Sequence, residues 1–387
     1  MYLIFFLNSQ IIFADPNQIH FNTKYIYNLV NYLGNQDSHN KSILKLNAKK
    51  LTPNFNTQLS FSIKNNTYTF DETYFQYKRG ILTFGIGSMS RNWSFSPNTS
   101  LILSSNARPS KAIYFKVNSK SNNKFSFEIF NGITENSLGN KDSLLLGARL
   151  IVSPIKSLKF ELLQTSQWAG SGYNNNLNAL YAALINDTND GENSNINKIA
   201  GFGISYTLPI KKLPTKIYAQ AVGEDEAGSL PSSYMYLAGI EWQTLNNVSP
   251  KRIGFEIVDT RIEKTEHGFC GPNTAYNNGI YDYTNYGLVL GAPIDTESKS
   301  IEIYGDAKIM HTFRIKFSLK KVIINDKSWT DHRLSSSREV GLIKYGSLSW
   351  EKDRMHFTSK IYHQDIDLDK GNYKNKIGIG LTTSLIF

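Results

Sequence analysis

From residue 57 onward the chain alternates apolar and polar residues with period two, broken about every 10 to 20 residues by clusters of Asn, Gly, Ser, Asp or Pro. Period two sends successive side chains to opposite faces of a strand. Leu59, Phe61 and Ile63 alternate with Ser60, Ser62 and Lys64, and Phe125, Phe127 and Ile129 share one face, as do Leu158, Phe160 and Leu162. The cleanest alternation sets Phe313, Ile315, Phe317 and Leu319 against Arg314, Lys316, Ser318 and Lys320. A β-sandwich with a dry core and a large barrel with a wet interior both write such runs. The second face separates them: Gly201, Gly203, Ser205 and Thr207, opposite Phe202, Ile204, Tyr206 and Leu208, are small or polar and suit a watery or plugged lumen. The last segment places Ile377, Ile379, Leu381, Thr383, Leu385 and Phe387 on one face, the form of an assembly signal for an outer-membrane barrel.

The expected fold is therefore all-β, a transmembrane antiparallel β-barrel with little helix. Two segments carry helical spacing. Asn22 to Leu33 places Tyr25, Leu29, Tyr32 and Leu33 on one side and predicts a periplasmic cap or plug, while Leu177 to Ile185 predicts a helix on an extracellular loop. Residues 1–14, an interrupted apolar stretch ending at Ala14, read as a secretory signal without its usual basic start. Residues 15–56 are expected to be an N-terminal periplasmic segment, and 57–387 the barrel.

Composition narrows the functional classes. The 387 residues have a mean hydropathy of −0.34 and no uncharged apolar run of helix-spanning length, which excludes a helical membrane protein but not a barrel. A single cysteine, Cys270, excludes a disulfide framework, and with His267 it offers only two ligands, too few for a metal site. The net charge of +10 is spread singly between aromatics, so nucleic acid is not an expected partner; anionic lipid or an acidic polymer is. There is no phosphate-binding loop, nucleophile elbow or His-Glu-x-x-His motif, and no cofactor is expected.

Four stretches, in order, resemble the capsule assembly Wzi family: Tyr74 to Ile113, with SLILSSNARP; Leu144 to Gly170, ending QWAG; AGFGISYTLP followed by GEDEAGSLPSSYMYLAGIEW, Gly223 to Trp242; and YNNGIYDYTNYG, Tyr276 to Gly287. The resemblance implies a monomeric barrel of about eighteen strands, with a helical element on the periplasmic side, that binds capsular or extracellular polysaccharide and assists capsule assembly without catalysis. Outer-membrane lipid and lipopolysaccharide are the surrounding partners it implies. The chain departs from the family at Trp93-Ser94-Phe95-Ser96-Pro97, where a Trp-Gly-Pro-Gly turn is usual, and after Tyr286, where the usual arginines are absent. A porin-like channel and a surface-glycan hydrolase or lyase are the competing readings.

The candidate glycan contacts are Trp93, Asn106, Arg108, Glu224, Asp225, Glu226, Tyr281 and Tyr283, with Tyr276 and Tyr286 in the same loop. Carboxylates and Asn can exchange hydrogen bonds with sugar hydroxyls, Arg presents a planar fork to a uronate or phosphate, and aromatic rings stack on pyranose faces. Each also has a structural reading. The acidic trio suits a luminal ion-pair network, Arg108 a salt bridge, and Trp93 and the tyrosines an interfacial girdle.

Overall fold

The computed structural model describes residues 19–386 apart from 29–32, 34–41, 65–66, 120–123, 136–142, 171, 186–194, 211–212, 228–229, 245–250, 265–269, 280, 311, 353–354, 371–372 and 374–375. For 19–28, 42, 64, 67, 225–227, 230–231, 376 and 384–386 only the backbone is described. The first strands are β1 (Ile19–Asn28), β2 (Ser42–Leu51), β3 (Phe55–Lys64), β4 (Thr67–Thr69), β5 (Tyr74–Arg79), β6 (Leu82–Ser88), β7 (Lys111–Asn118), β8 (Phe125–Ile133), β9 (Leu144–Ile155) and β10 (Leu158–Trp168). Helix α1 (Leu177–Leu184) precedes β11 (Asn197–Leu208), β12 (Thr215–Ala227), β13 (Leu230–Gln243) and β14 (Lys251–Asp259). Four two-residue strands follow: β15 (Asn277–Asn278), β16 (Tyr281–Asp282), β17 (Thr284–Asn285) and β18 (Leu288–Val289). The chain ends with β19 (Lys299–Lys308), β20 (Phe313–Ile324), β21 (Glu339–Lys352), β22 (Met355–Gln364) and β23 (Lys376–Ile386).

Each wall strand pairs antiparallel with the next, β14 passes directly to β19, and β23 returns to β1 over Asn22↔Ile386 to Asn28↔Gly380. Because β4 and β5 both pair with β3, at Ser62 to Lys64 and Phe55 to Gln58, they share one position. The 19-stranded sheet thus closes as a barrel of eighteen positions. Followed once around, the registers return to β1 displaced by about 20 residues, a shear that tilts the strands by about 40°. Turns at one end are short, such as 52–54 and 80–81, where Gly80 supplies a φ of +62°. The other end carries 89–110, 169–196, 260–298 and 325–338.

The wall is the inverse of a soluble sandwich. Apolar side chains point outward and are exposed, as with Ile113 at 61% and Leu162 at 60%, whereas Ser60, Ser62, Glu161, Thr165 and Gln220 point inward and are buried. On β20, Phe317 and Leu319 are exposed as the alternation requires. Inward tyrosines lie flat across a glycine on the neighbouring strand, among them Tyr114 over Gly85, Tyr218 over Gly239 and Tyr304 over Gly254, where an added Cβ would come within 2.3 Å of the tyrosine side chain.

One expectation is overturned at the N-terminus. Ile19–Asn28 is a wall strand, not a helix, and with Ser42–Leu51 it belongs to the barrel rather than to a periplasmic segment over 15–56. The helical spacing of Tyr25, Leu29, Tyr32 and Leu33 coexists with a period-two run, Ile19, Phe21, Thr23, Tyr25 and Tyr27, and pairing on both edges selects the latter. Residues 29–32 lie outside the described ones. The second expected helix is present as α1, capped by Asn176, whose side chain accepts from the Ala179 N–H.

Candidate functional site at the plugged mouth

Inside the half of the barrel nearer the short turns, the wall carries charge in matched pairs, joined by Arg91 from the loop between β6 and β7. Arg91 donates to Glu128 at 2.9 Å and Lys116 pairs with the same carboxylate at 3.1 Å; Lys320 pairs with Glu302 at 3.0 Å and Arg314 with Asp306 at 2.6 Å. Glu161 accepts from Arg149 Nε at 3.0 Å and from Gln220 at 3.1 Å. Tyr218 donates to Glu256 at 2.7 Å and Tyr304 to Glu241 at 3.1 Å. In a confined lumen each charge needs such a partner, and together the pairs staple adjacent and next-but-one strands.

Above this network the lumen is filled by loops. Residues 89–110, between β6 and β7, fold inward, and Trp93, Leu101, Ile102 and Leu103 join wall residues Leu163, Ile199, Val222 and Val258 in one buried cluster. Gln220 holds this loop with both ends of its amide, accepting from Leu101 N–H at 2.8 Å and donating to Trp93 O at 2.7 Å. The loop's tip reaches the lower network through Ser96, which donates to Glu256, and Asn98, which donates to Glu302.

A second loop, 260–298, closes over the first. Tyr276 donates to Leu101 O at 2.7 Å and Tyr283 to Ile102 O at 2.8 Å, their rings stacked at 5.8 Å and 11°. Tyr281 donates to Ala169 O at 2.8 Å. Burial pushes the Tyr276 and Tyr283 phenols well up, so both remain O–H donors. Arg333 from the 325–338 loop clamps this layer, bonding Asp295 Oδ2 at 2.8 Å and also Asn277 and Asp282. Burial would raise the Asp295 carboxyl, but the Arg333 guanidinium outweighs it and holds Asp295 below the ordinary range. His332 is buried beside it. Its Nε2 meets Thr296 O at 3.0 Å and its Nδ1 accepts from Leu334 N–H at 3.1 Å, a pattern that requires the neutral ring with the proton on Nε2.

Between described residues, clefts open at the long-loop end. One of about 320 Å³ is lined by residues that include Asn106, Asp295, Arg333, Lys370 and Tyr373. Another, about 650 Å³, lies between Tyr234, Tyr236, Arg261, Lys264, Glu297 and Lys327. Beside the smaller cleft Arg108 forms a bidentate pair with Asp71 at 3.0 Å, and its guanidinium lies 3.7 Å from the centre of the half-exposed Tyr286 ring. Asn285 donates to Arg108 O at 2.7 Å and accepts from Glu135 N–H at 2.9 Å, tying the two loops to the rim.

The sequence-derived candidates divide accordingly. Trp93, 2% exposed, sits edge-on to Phe130 within the lumen, which gives it neither a sugar-facing surface nor a girdle position. Tyr276, Tyr281 and Tyr283 are likewise fully buried, plug residues rather than an exposed platform or girdle. Asn106 lines the smaller cleft while donating to Val289 O at 2.9 Å, and Arg108 stands next to it. Glu224 accepts from the Tyr276 N–H and is thereby part of the plug; the side chains of Asp225 and Glu226, like His267, lie outside the described residues. Arg333, Gln220, Lys370 and Tyr373 were not singled out by sequence. They occupy a strand or loop without any motif, and only chain reversal brings them to the site. Among the described residues no cluster of three or more His, Cys, Asp or Glu could hold a metal ion.

The fold and mouth define a class: an outward-apolar barrel with a filled lumen and aromatic, charged clefts at its long-loop end. A family model described as capsule assembly protein Wzi matches residues 18–352, and the chain belongs to that family. A structure of Wzi from Escherichia coli, described as an outer membrane protein involved in group 1 capsule assembly and a carbohydrate binding β-barrel, superposes with a TM-score of 0.80 at 18% identity, covering 95% of this chain and 84% of that one. OccK3 (OpdO) of Pseudomonas aeruginosa shares the barrel at a TM-score of 0.56 and 8% identity, covering 95% and 94%. An uncharacterized 55.8 kDa protein in the cps region of Klebsiella pneumoniae is 35% identical over 99 residues, spanning 25% of this chain and 20% of its own length.

Proposed function

We propose that this barrel lies in the outer membrane, holds capsular or extracellular polysaccharide at its long-loop mouth and assists capsule assembly there without cleaving the polymer. One observation carries the reading: the lumen below the mouth is filled by two interlocked loops, while the clefts above it offer sugar-sized space beside Arg333, Lys370, Asn106, Arg108 and Tyr286. Long loops face outward in outer-membrane barrels, which puts these clefts at the cell exterior. Each sugar unit would meet a few hydrogen bonds and one stacking face, and neighbouring barrels engaging one polymer would add avidity.

The membership of the Wzi family and the description of the Escherichia coli structure support this reading. Its test is a deletion strain, in which cell-associated capsule falls and released polymer rises. Normal cell-associated capsule with none in the medium would remove the idea. Purified protein incubated with the polymer should yield no new reducing ends or unsaturated products.

A further inference from the structure

The outer face of the wall carries cations at one level near the long-loop end. Period two from the exposed Ile301 and Ile303 directs Lys299 of β19 outward; Phe317 and Leu319 do the same for Lys321 of β20, and Val340 and Leu348 for Lys344 of β21. Lys321 and Lys344 are exposed and pair with no described residue, and Lys299 contacts Asp259 at 3.4 Å. In register, Lys321 lies opposite Ile301, two residues from Lys299, and Lys344 lies opposite Leu319, two residues from Lys321. Strands tilted by about 40° change level by about one residue per step around the wall, so the three ammonium stems start within about 5 Å of one height. His363, opposite Lys344, continues the row on β22.

Two observations identify the environment at that height. Tyr236, opposite Asp259, and Tyr234 two residues above it extend the row on β13 as an aromatic pair with ring centres 6.2 Å apart, the position of an interfacial girdle. Immediately below, Leu319, Phe317 and Ile315 on β20 are exposed apolar side chains that a hydrocarbon layer would cover. Lysines at that height carry their charge to the headgroup level and call for an anion there, and among the described residues Asp259 is the one carboxylate that contacts them.

We propose that Lys299, Lys321 and Lys344 form a binding site for the phosphates of an anionic glycolipid headgroup in the surrounding leaflet. The ammonium groups meet phosphate oxygens while the acyl chains lie against Leu319 and Phe317, so the barrel takes its lipid neighbour by charge and apolar contact together. None of these residues lines the mouth clefts named above, so loss of lipid and loss of polysaccharide binding are separable.

The test titrates the full chain in detergent with bisphosphorylated lipid A, with the same lipid after phosphatase treatment, and with inorganic phosphate, read by native mass spectrometry. The phosphorylated lipid should bind at least about tenfold more tightly than the dephosphorylated form, with a loss of about fivefold for each lysine replaced in Lys299→Gln, Lys321→Gln and Lys344→Gln. Lys251→Gln, an exposed lysine at the opposite end of β14, should leave binding unchanged. Equal binding of the two lipids, retention by the triple variant, or equal loss on Lys251→Gln overturns the proposal. Competition by millimolar inorganic phosphate would assign the site to free phosphate and overturn it as a lipid site. Faster migration of unheated protein on a gel confirms that each variant has closed its barrel, and Lys344→Gln alone carries the test if the triple variant does not assemble.

Discussion

The two halves of the lumen solve the same problem with different chemistry. Near the short turns, the interior is stapled by ion pairs and tyrosines between wall strands, such as Arg314 with Asp306 and Tyr218 with Glu256. Near the long loops, it is closed by an apolar layer, Trp93, Leu101, Ile102, Tyr276 and Tyr283, pinned through backbone carbonyls. The lower network holds the cylinder round and would persist with an empty mouth. The upper layer is made of loops and depends on a few polar anchors, Arg333 and Gln220 foremost, so it can loosen without opening the wall. The candidate clefts stand on this looser half.

The contrast breaks most visibly at Arg333. Arg333→Ala leaves Asp295 buried without its guanidinium, and the cost is expected at about 3 to 5 kcal/mol, confined to the loops. Limited proteolysis should then cut within 260–298 while unheated migration on a gel stays that of a closed barrel; loss of both together would show that plug and wall are one cooperative unit. Gln220→Ala removes the amide that joins the halves and should loosen the loops by about 2 to 3 kcal/mol, visible as faster amide exchange at Leu101.

Tyr218→Phe tests the lower half, at the carboxylate that Ser96 of the plug loop also meets. Loss of the bond donated to Glu256 should lower barrel stability by about 1 to 2 kcal/mol in thermal unfolding and leave proteolysis of the loops unchanged. His332 supplies a smaller, pH-dependent effect. Burial lowers its pKa below the ordinary 6.5, so the stability it contributes is complete above that value and is lost as pH falls from 6.5 towards the depressed folded value. Loop proteolysis should therefore rise on acidification through this window, and His332→Gln should flatten the dependence. At the rim, Tyr286→Ala should weaken polysaccharide binding a few-fold with little change in thermal unfolding, since its ring is half-exposed and lies over Arg108.

Much of the wall was legible in sequence because alternation is a local property. Phe313 to Lys320 announce one lipid face and one luminal face without knowledge of any partner strand. The N-terminal strand was missed because Asn22 to Leu33 satisfies two periods at once, and only its pairing with β2 and β23 decides between them. The mouth was legible in part. Asn106 and Arg108 stand at the smaller cleft, and Tyr286 beside them, but Trp93, Tyr281 and Tyr283 look identical in sequence and are buried.

What the sequence determined alone was the period, hence strands with an apolar and a polar face, and the excess of small and charged residues that makes the polar face luminal. Tertiary structure decided which aromatics are covered and which anchors hold them. The contacts responsible join residues far apart in the chain, Leu101 to Gln220 across 119 positions and Ser104 to Gly291 across 187. A residue's own neighbours carry no record of such a partner, because loop packing follows from closure of the barrel that brings the loops together.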